Sequence, residues 1–119
     1  MRHNESNIQI ACVRWFRMQH PKLARLLFAV PNGGARNAVT GAILKAEGVV
    51  PGVADLLLLV PRNGYHGLAI EMKTRTGRQS DSQREWQQEV EAQGYRYVVC
   101  HSFDDFRNEV DAYIIDGKG

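Results

Sequence analysis

The feature that most constrains this chain is an acid lodged in its longest apolar run. Val53-Ala54-Asp55-Leu56-Leu57-Leu58-Leu59-Val60 reads as a strand buried on both faces, because the run is continuous rather than alternating. Pro51-Gly52 turns the chain into it, and Arg62-Asn63-Gly64 turns it out again as a hairpin loop. Gly67 to Lys73 returns as the partner strand. Its alternation puts Leu68, Ile70 and Met72 on one face, with Glu71 and Lys73 on the other. A buried carboxylate with no partner costs several kcal/mol or keeps its proton. Asp55 must be satisfied by nearby backbone amides or by a group opposite it.

The loop length decides what lies opposite. With Arg62, Asn63 and Gly64 in the loop, Pro61 faces Tyr65, Leu57 faces Ala69 and Asp55 faces Glu71. Directly opposite residues share a face, with Cβ atoms about 4.5–5.5 Å apart. Two carboxylates at that spacing repel unless a proton or a cation sits between them. A hard, oxygen-seeking divalent cation such as Mg²⁺ fits. Lys73 lies one side-chain repeat further along the same face, within reach of a water or anion beside that cation. A two-residue Asn63-Gly64 turn would instead pair Asp55 with Met72 and send Glu71 to the other face. Taken singly, each motif has a plainer reading: Asp55 bonded to amides after its turn, and Glu71 and Lys73 on the solvated face of an edge strand.

The remaining elements follow from periodicity and punctuation. Ile8, Ala11, Cys12, Trp15 and Met18 or Gln19 predict a helix from Glu5 to His20, capped by Asn4 and ended by Pro21. Leu26 to Val30 is a short strand, and Pro31-Asn32-Gly33-Gly34 a loop. Arg36 to Glu47 is a helix, with Gly48 just past its end. Ser80 and Gln83 form a capping box opening a helix to Gln93. Tyr95 to Cys100 is a strand, and Ser102 caps a last helix carrying Phe103, Phe106 and Val110. The order α-β-α-β-β-α-β-α predicts an α/β fold, a central mixed sheet flanked by helices.

Two residues have open assignments. Glu5 is either a first-turn acid favoured by the helix dipole or an inward acid on the apolar stripe with Ile8 and Cys12. Gln83 is either the capping-box partner alone or an amide that orients a water or a phosphate oxygen.

Composition narrows the class. The chain has 119 residues, 44% hydrophobic and 24% charged, which is ordinary globular usage for one domain over residues 1–119. Cys12 and Cys100 stand far apart, and the absence of CxxC spacing argues against disulfide scaffolds and structural zinc. No apolar run is long enough to span a bilayer, and residues 1–20 hold no signal-peptide core. The expectation is a soluble protein of a reducing, cytoplasmic compartment. The net charge of +2 hides seven Lys/Arg against two Asp/Glu in residues 1–50, a basic half suited to a polyanion. No P-loop, dinucleotide fingerprint or nucleophile elbow occurs, so ATP-driven, redox and acyl-transfer chemistry lack support.

The spacing Asp-x15-Glu-x-Lys resembles the PD-(D/E)xK nuclease superfamily, and an ordered set of motifs is more specific. Glu5-Ser6-x-x-Gln9, Pro31-Asn32-Gly33-Gly34-x-Arg36, Leu44-Lys45-x-x-Gly48-Val49-x-Pro51-Gly52-Val53-x-Asp55-Leu56, Glu71-x-Lys73 and Gln83-x-x-Trp86 resemble the VRR-NUC nuclease family from about residue 5 to residue 100. One departure is Ala54, where the superfamily name has proline.

The resemblance implies a restriction-endonuclease-like core and a metal-dependent phosphodiesterase using Mg²⁺, with Mn²⁺ as substitute. It implies Asp55, Glu71, Glu5 and the Met72 backbone carbonyl as metal ligands, Lys73 as catalytic lysine and Gln83 as the motif glutamine. Asn32, Gly33, Gly34, Arg36, Lys45, Arg75 and Arg78 are the expected nucleic-acid contacts. Glycines before a helix N-terminus let amides approach phosphate, and the arginines leaving Lys73 can grip backbone. Stand-alone members, of phage and bacterial type, look like symmetric dimers acting on branched DNA, with four-way junctions the leading substrate. The alternatives are a catalytically silent nucleic-acid-binding module, an RNA-cleaving nuclease, and a protein-interaction domain using the acidic stretch from Asp104 to Asp116.

Overall fold

A computed structural model describes the backbone of residues 2–31 and 38–116. Helix α1 spans Arg2–Gln19, and a 3₁₀ helix over Pro21–Leu26 leads into strand β1, Leu27–Ala29. Helix α2 is Ala38–Ala46, β2 is Leu56–Leu58 and β3 is Leu68–Met72. Helix α3 is Asp81–Ala92, β4 is Arg96–Cys100 and α4 is Phe103–Asp116. The sheet order is β1-β2-β3-β4. Its first two pairings are antiparallel and the third is parallel. The fold is the expected mixed α/β layer.

Local chemistry sets the boundaries. Ser80 Oγ accepts from Gln83 N, and Gln83 returns its side-chain oxygen to Ser80 N at 2.8 Å, so α3 opens with a complete capping box. Ser102 Oγ accepts from Asp105 N at 3.0 Å and starts α4. Asn4 is not a cap, because α1 already runs from Arg2. The 3₁₀ helix escaped periodicity because six residues are too few to show a repeat.

The apolar run is not a strand throughout. The strand proper is Leu56–Leu58, flanked by single backbone bonds from Val30 N to Asp55 O and from Leu59 N to Leu26 O, and Leu59 is 52% exposed, so burial on both faces fails beyond Leu58. The hairpin tip also differs from the three-residue loop. Arg62 pairs with Tyr65 around a two-residue Asn63-Gly64 turn, with φ +54° and +81°, the left-handed pair a type I′ turn needs. The strand register is nevertheless the expected one: Leu57 faces Ala69 and Leu56 faces Ile70. Leu59, Val60 and Pro61 separate Leu58 from Arg62, whereas only His66 and Gly67 separate Tyr65 from Leu68. That extra residue shifts the register by one, in the manner of a bulge.

The main core lies between one sheet face and helices α1 and α4. Cys12, Phe16, Leu56, Leu58, Ile70, Phe106 and Val110 are fully buried there. Phe16, rather than Ala11 or Met18, completes the α1 stripe, and Met18 is 75% exposed. Removing either phenylalanine ring would cost roughly 3–5 kcal/mol. On the other face Ala54, Ala69 and Tyr97 are buried, with Trp86 and Val90 of α3 packed against them. The functional carboxylates lie on this second, thinner side.

Candidate functional site

Asp55 directly precedes β2. Continuing the β2–β3 register by one residue sets it opposite Glu71. Its Oδ2 accepts from Met72 N at 2.7 Å, so the side chain takes the place of a ladder carbonyl. Burial pushes the Asp55 carboxyl above its ordinary range; the Met72 amide pulls it back, the charges of Glu71 and Glu5 push it further up, and Lys73 lowers it. Part of the satisfaction is thus a backbone amide, but one across the sheet rather than one beside the Pro51-Gly52 turn.

Glu71 is wholly buried. Its Oε1 accepts from the Tyr97 hydroxyl and from Gln79 Nε2, the latter at 3.2 Å. Its Oε2 has no hydrogen-bond partner. Lys73 Nζ stands 3.4 Å from that oxygen, with its side chain only 17% exposed. Burial, and then the bond to Glu71, push the Tyr97 phenol far up, so it holds its proton and donates. Lys73 N bonds Cys100 O on the β4 side. Alternate residues of a strand turn to opposite neighbours, so Met72 presents both its amide and its carbonyl toward Asp55.

The other expected residues divide. Glu5 sits in the first turn of α1, close enough for its charge to be felt at Asp55. Gln83 commits its carbonyl oxygen to Ser80 N. The glutamine that reaches Glu71 is Gln79, outside the expected set. Gln79 Nε2 also donates to Gln87 Oε1 at 2.9 Å, and Gln87 Nε2 donates to Glu91 Oε2 at 3.1 Å. Arg75 and Arg78 are exposed on the turn leaving β3, and Lys45 is exposed on α2. Asn32, Gly33, Gly34 and Arg36 lie outside the described residues.

Tyr97 had a detectable signal. It is the polar side chain on the inward face of the last strand, and Glu71 needs a donor. Gln79 had none, since it reaches Glu71 only through the way α3 docks.

Among the described residues, no three His, Cys, Asp or Glu side chains gather closely enough to enclose a metal ion. Asp55 and Glu71 still suit a hard cation. The donors are all oxygen, and a fully buried carboxylate oxygen accepts no hydrogen bond, its ion-pair partner among the described residues being Lys73 at 3.4 Å. Mg²⁺ is commonly held by one or two carboxylates, with water and substrate phosphate completing the shell. The residues present fit such an ion, with the Met72 carbonyl on the same side and Glu5 at the margin.

Comparison with known proteins identifies the family and the fold. The family model described as VRR-NUC domain matches residues 3–104. A solved structure titled VRR_NUC domain protein superposes with a TM-score of 0.84 at 27% identity, covering 95% of this chain and 89% of the other. No match was found among curated proteins. No helix among the described residues is long and apolar enough to cross a membrane. With nearly the whole fold matched and the Asp-x15-Glu-x-Lys residues brought to one side of the sheet, the chain belongs to the VRR-NUC domain family, a nuclease-type family.

Proposed function

We propose that this chain is a Mg²⁺-dependent endonuclease that hydrolyses DNA phosphodiester bonds and selects branched structures, four-way junctions first, as a homodimer. The observation that supports it is the asymmetry of Glu71: one oxygen held by two donors, the other bare and facing Lys73 beside Asp55. Asp55 Oδ1, Glu71 Oε2 and the Met72 carbonyl would hold the ion, with Glu5 the nearest further acid. When bound, Mg²⁺ would polarise the phosphoryl oxygen and acidify a water.

The chain's own groups do the rest. Lys73 is kept beside the acids by the Glu71 contact, where its ammonium orients a water or offsets charge developing on the phosphate. Arg75 and Arg78 leave the site on the same strand exit and contact backbone phosphates. Each such contact adds about −0.9 to the salt slope on duplex DNA. Selection in this reading is by shape, through contacts to backbone phosphates. A two-fold dimer would present two such sites to the arms of a junction.

The test is a nicking assay on labelled four-way junction, flap, linear duplex and matched RNA, each with Mg²⁺, Mn²⁺ or EDTA, beside Glu71→Gln. Metal-dependent cutting of the junction over the duplex, lost in the variant, is expected. Cutting confined to RNA would overturn the DNA assignment. Tight, metal-independent binding without cutting would identify a silent binding module instead.

A further inference from the structure

We propose that Tyr97 and Gln79 are positioning residues that pin one oxygen of Glu71 and so present the other to the metal ion. This rests on the metal-dependent reading above and deepens it. A glutamate side chain is long, and its carboxylate can twist about its last bond. Here it cannot do so without loss. Both of these donors converge on Oε1, while Oε2 accepts no hydrogen bond and faces the Lys73 ammonium at 3.4 Å. Twisting the carboxylate out of this plane would leave the buried Tyr97 hydroxyl and one part-buried Gln79 N–H unpaired, so the plane is held.

Each donor is itself held. The Tyr97 ring is buried with Ala54 and Ala69, and it meets the Trp86 ring edge-on, the centroids 6.1 Å apart. Its hydroxyl is therefore aimed by packing. The Gln79 amide is oriented by Gln87, whose Oε1 takes another N–H of the same nitrogen. The reversed amide would set oxygen against the Glu71 carboxylate. Gln87 in turn donates to Glu91 at the surface of α3, which strengthens its own carbonyl as an acceptor. A single file of amides thus runs from exposed Glu91 to buried Glu71. Partners that orient a ligating side chain in this way typically account for a 10–100-fold effect on metal affinity.

The measurement is Mn²⁺ binding to the full chain without DNA, followed by the free-ion electron paramagnetic resonance signal. Wild type, Tyr97→Phe, Gln79→Leu and Glu71→Gln are compared, with circular dichroism melting in EDTA as the check on folding. Tyr97→Phe keeps the ring and its packing. It is expected to weaken Mn²⁺ binding at least tenfold, and saturating Mn²⁺ should recover most of the cleavage rate. Gln79→Leu should show the same pattern to a smaller degree, and it carries the test if Tyr97→Phe does not fold. Equal Mn²⁺ affinity in wild type and folded variants would overturn the inference alone. A cleavage loss that saturating Mn²⁺ fails to recover would also overturn it, since Tyr97 would then act on the substrate. Wild type that binds no Mn²⁺ would overturn the metal reading and this inference together.

Discussion

Gly52 ties the acid-bearing strand to the first turn of α3, and replacing it by alanine should separate two costs that are usually confounded. Its φ of +88° is a backbone conformation that side chains resist. That resistance alone costs roughly 1–2 kcal/mol. A Cβ built there also falls 2.4 Å from Ser82 O, 2.5 Å from Ser82 C and 3.0 Å from Gln83 N. These are backbone atoms of a capped helix and cannot swing aside. Crowding of this kind adds roughly 1–3 kcal/mol.

Gly48 is the control, with φ +109° and nothing within 4 Å of its Cβ. Gly48→Ala should therefore lose about 1–2 kcal/mol and Gly52→Ala about 2–5 kcal/mol, the sums of those same costs. At roughly 4 °C per kcal/mol for a chain of this size, the midpoints fall by about 4–8 °C and 8–20 °C. Thermal and urea unfolding in EDTA read both. A shift of the Ser80–Gln83 turn also moves Gln79, so Gly52→Ala should weaken Mn²⁺ binding while Gly48→Ala leaves it alone. Equal losses of stability in the two variants would refute the proposed contact between the Pro51-Gly52 turn and α3.

Other consequences follow from the same geometry. Asp55→Asn should stabilise the metal-free protein near pH 7 while abolishing cleavage. The Asp55 carboxyl is raised in the folded state, so its cost is present above that raised value, shrinks as pH falls through it, and is gone below the ordinary 3.8; a stabilisation that grows toward acid pH would contradict this. Lys73→Met should leave the melting midpoint within a few degrees and slow cleavage by about 10²–10⁴-fold, and cleavage at the wild-type rate would remove Lys73 from the chemistry. Cys12 and Cys100 are fully buried, with thiols pushed up to about 12 by that burial. Ellman's reagent at pH 8 should detect neither thiol until denaturant is added.

The sheet register and the helix order were legible because they rest on local signals. Capping at Ser80 and at Ser102, glycine after a helix and alternation along Leu68–Met72 each act within a few residues. The pairing of Asp55 with Glu71 was reached by an incomplete route. A three-residue loop and the observed two-residue turn plus one extra residue both place Leu57 against Ala69. Loop counting fixes only the sum of turn and bulge, and a bulge leaves no mark when the extra residue sits in an apolar stretch such as Leu59-Val60-Pro61. The strand ends were illegible for a related reason. Leu59 is apolar yet half exposed, and hydropathy does not report whether a helix covers that part of the sheet.

The site divides along the same line between local and assembled information. Asp55, Glu71 and Lys73 could be read because strand alternation and one hairpin carry them to a common face. Tyr97 and Gln79 could not be assigned to Glu71 in that way. Tyr97 arrives through a parallel pairing that needs all of α3 as its crossover, and Gln79 through the docking of that helix. The charged residues of this site are therefore placed by short-range sequence, while the hydrogen bonds that decide which carboxylate oxygen stays bare are placed by tertiary packing. A substitution in the first set should change chemistry with little change in fold. One in the second should change metal affinity through geometry, Gly52→Ala by shifting the first turn of α3 and Tyr97→Phe by removing the hydroxyl that holds Glu71.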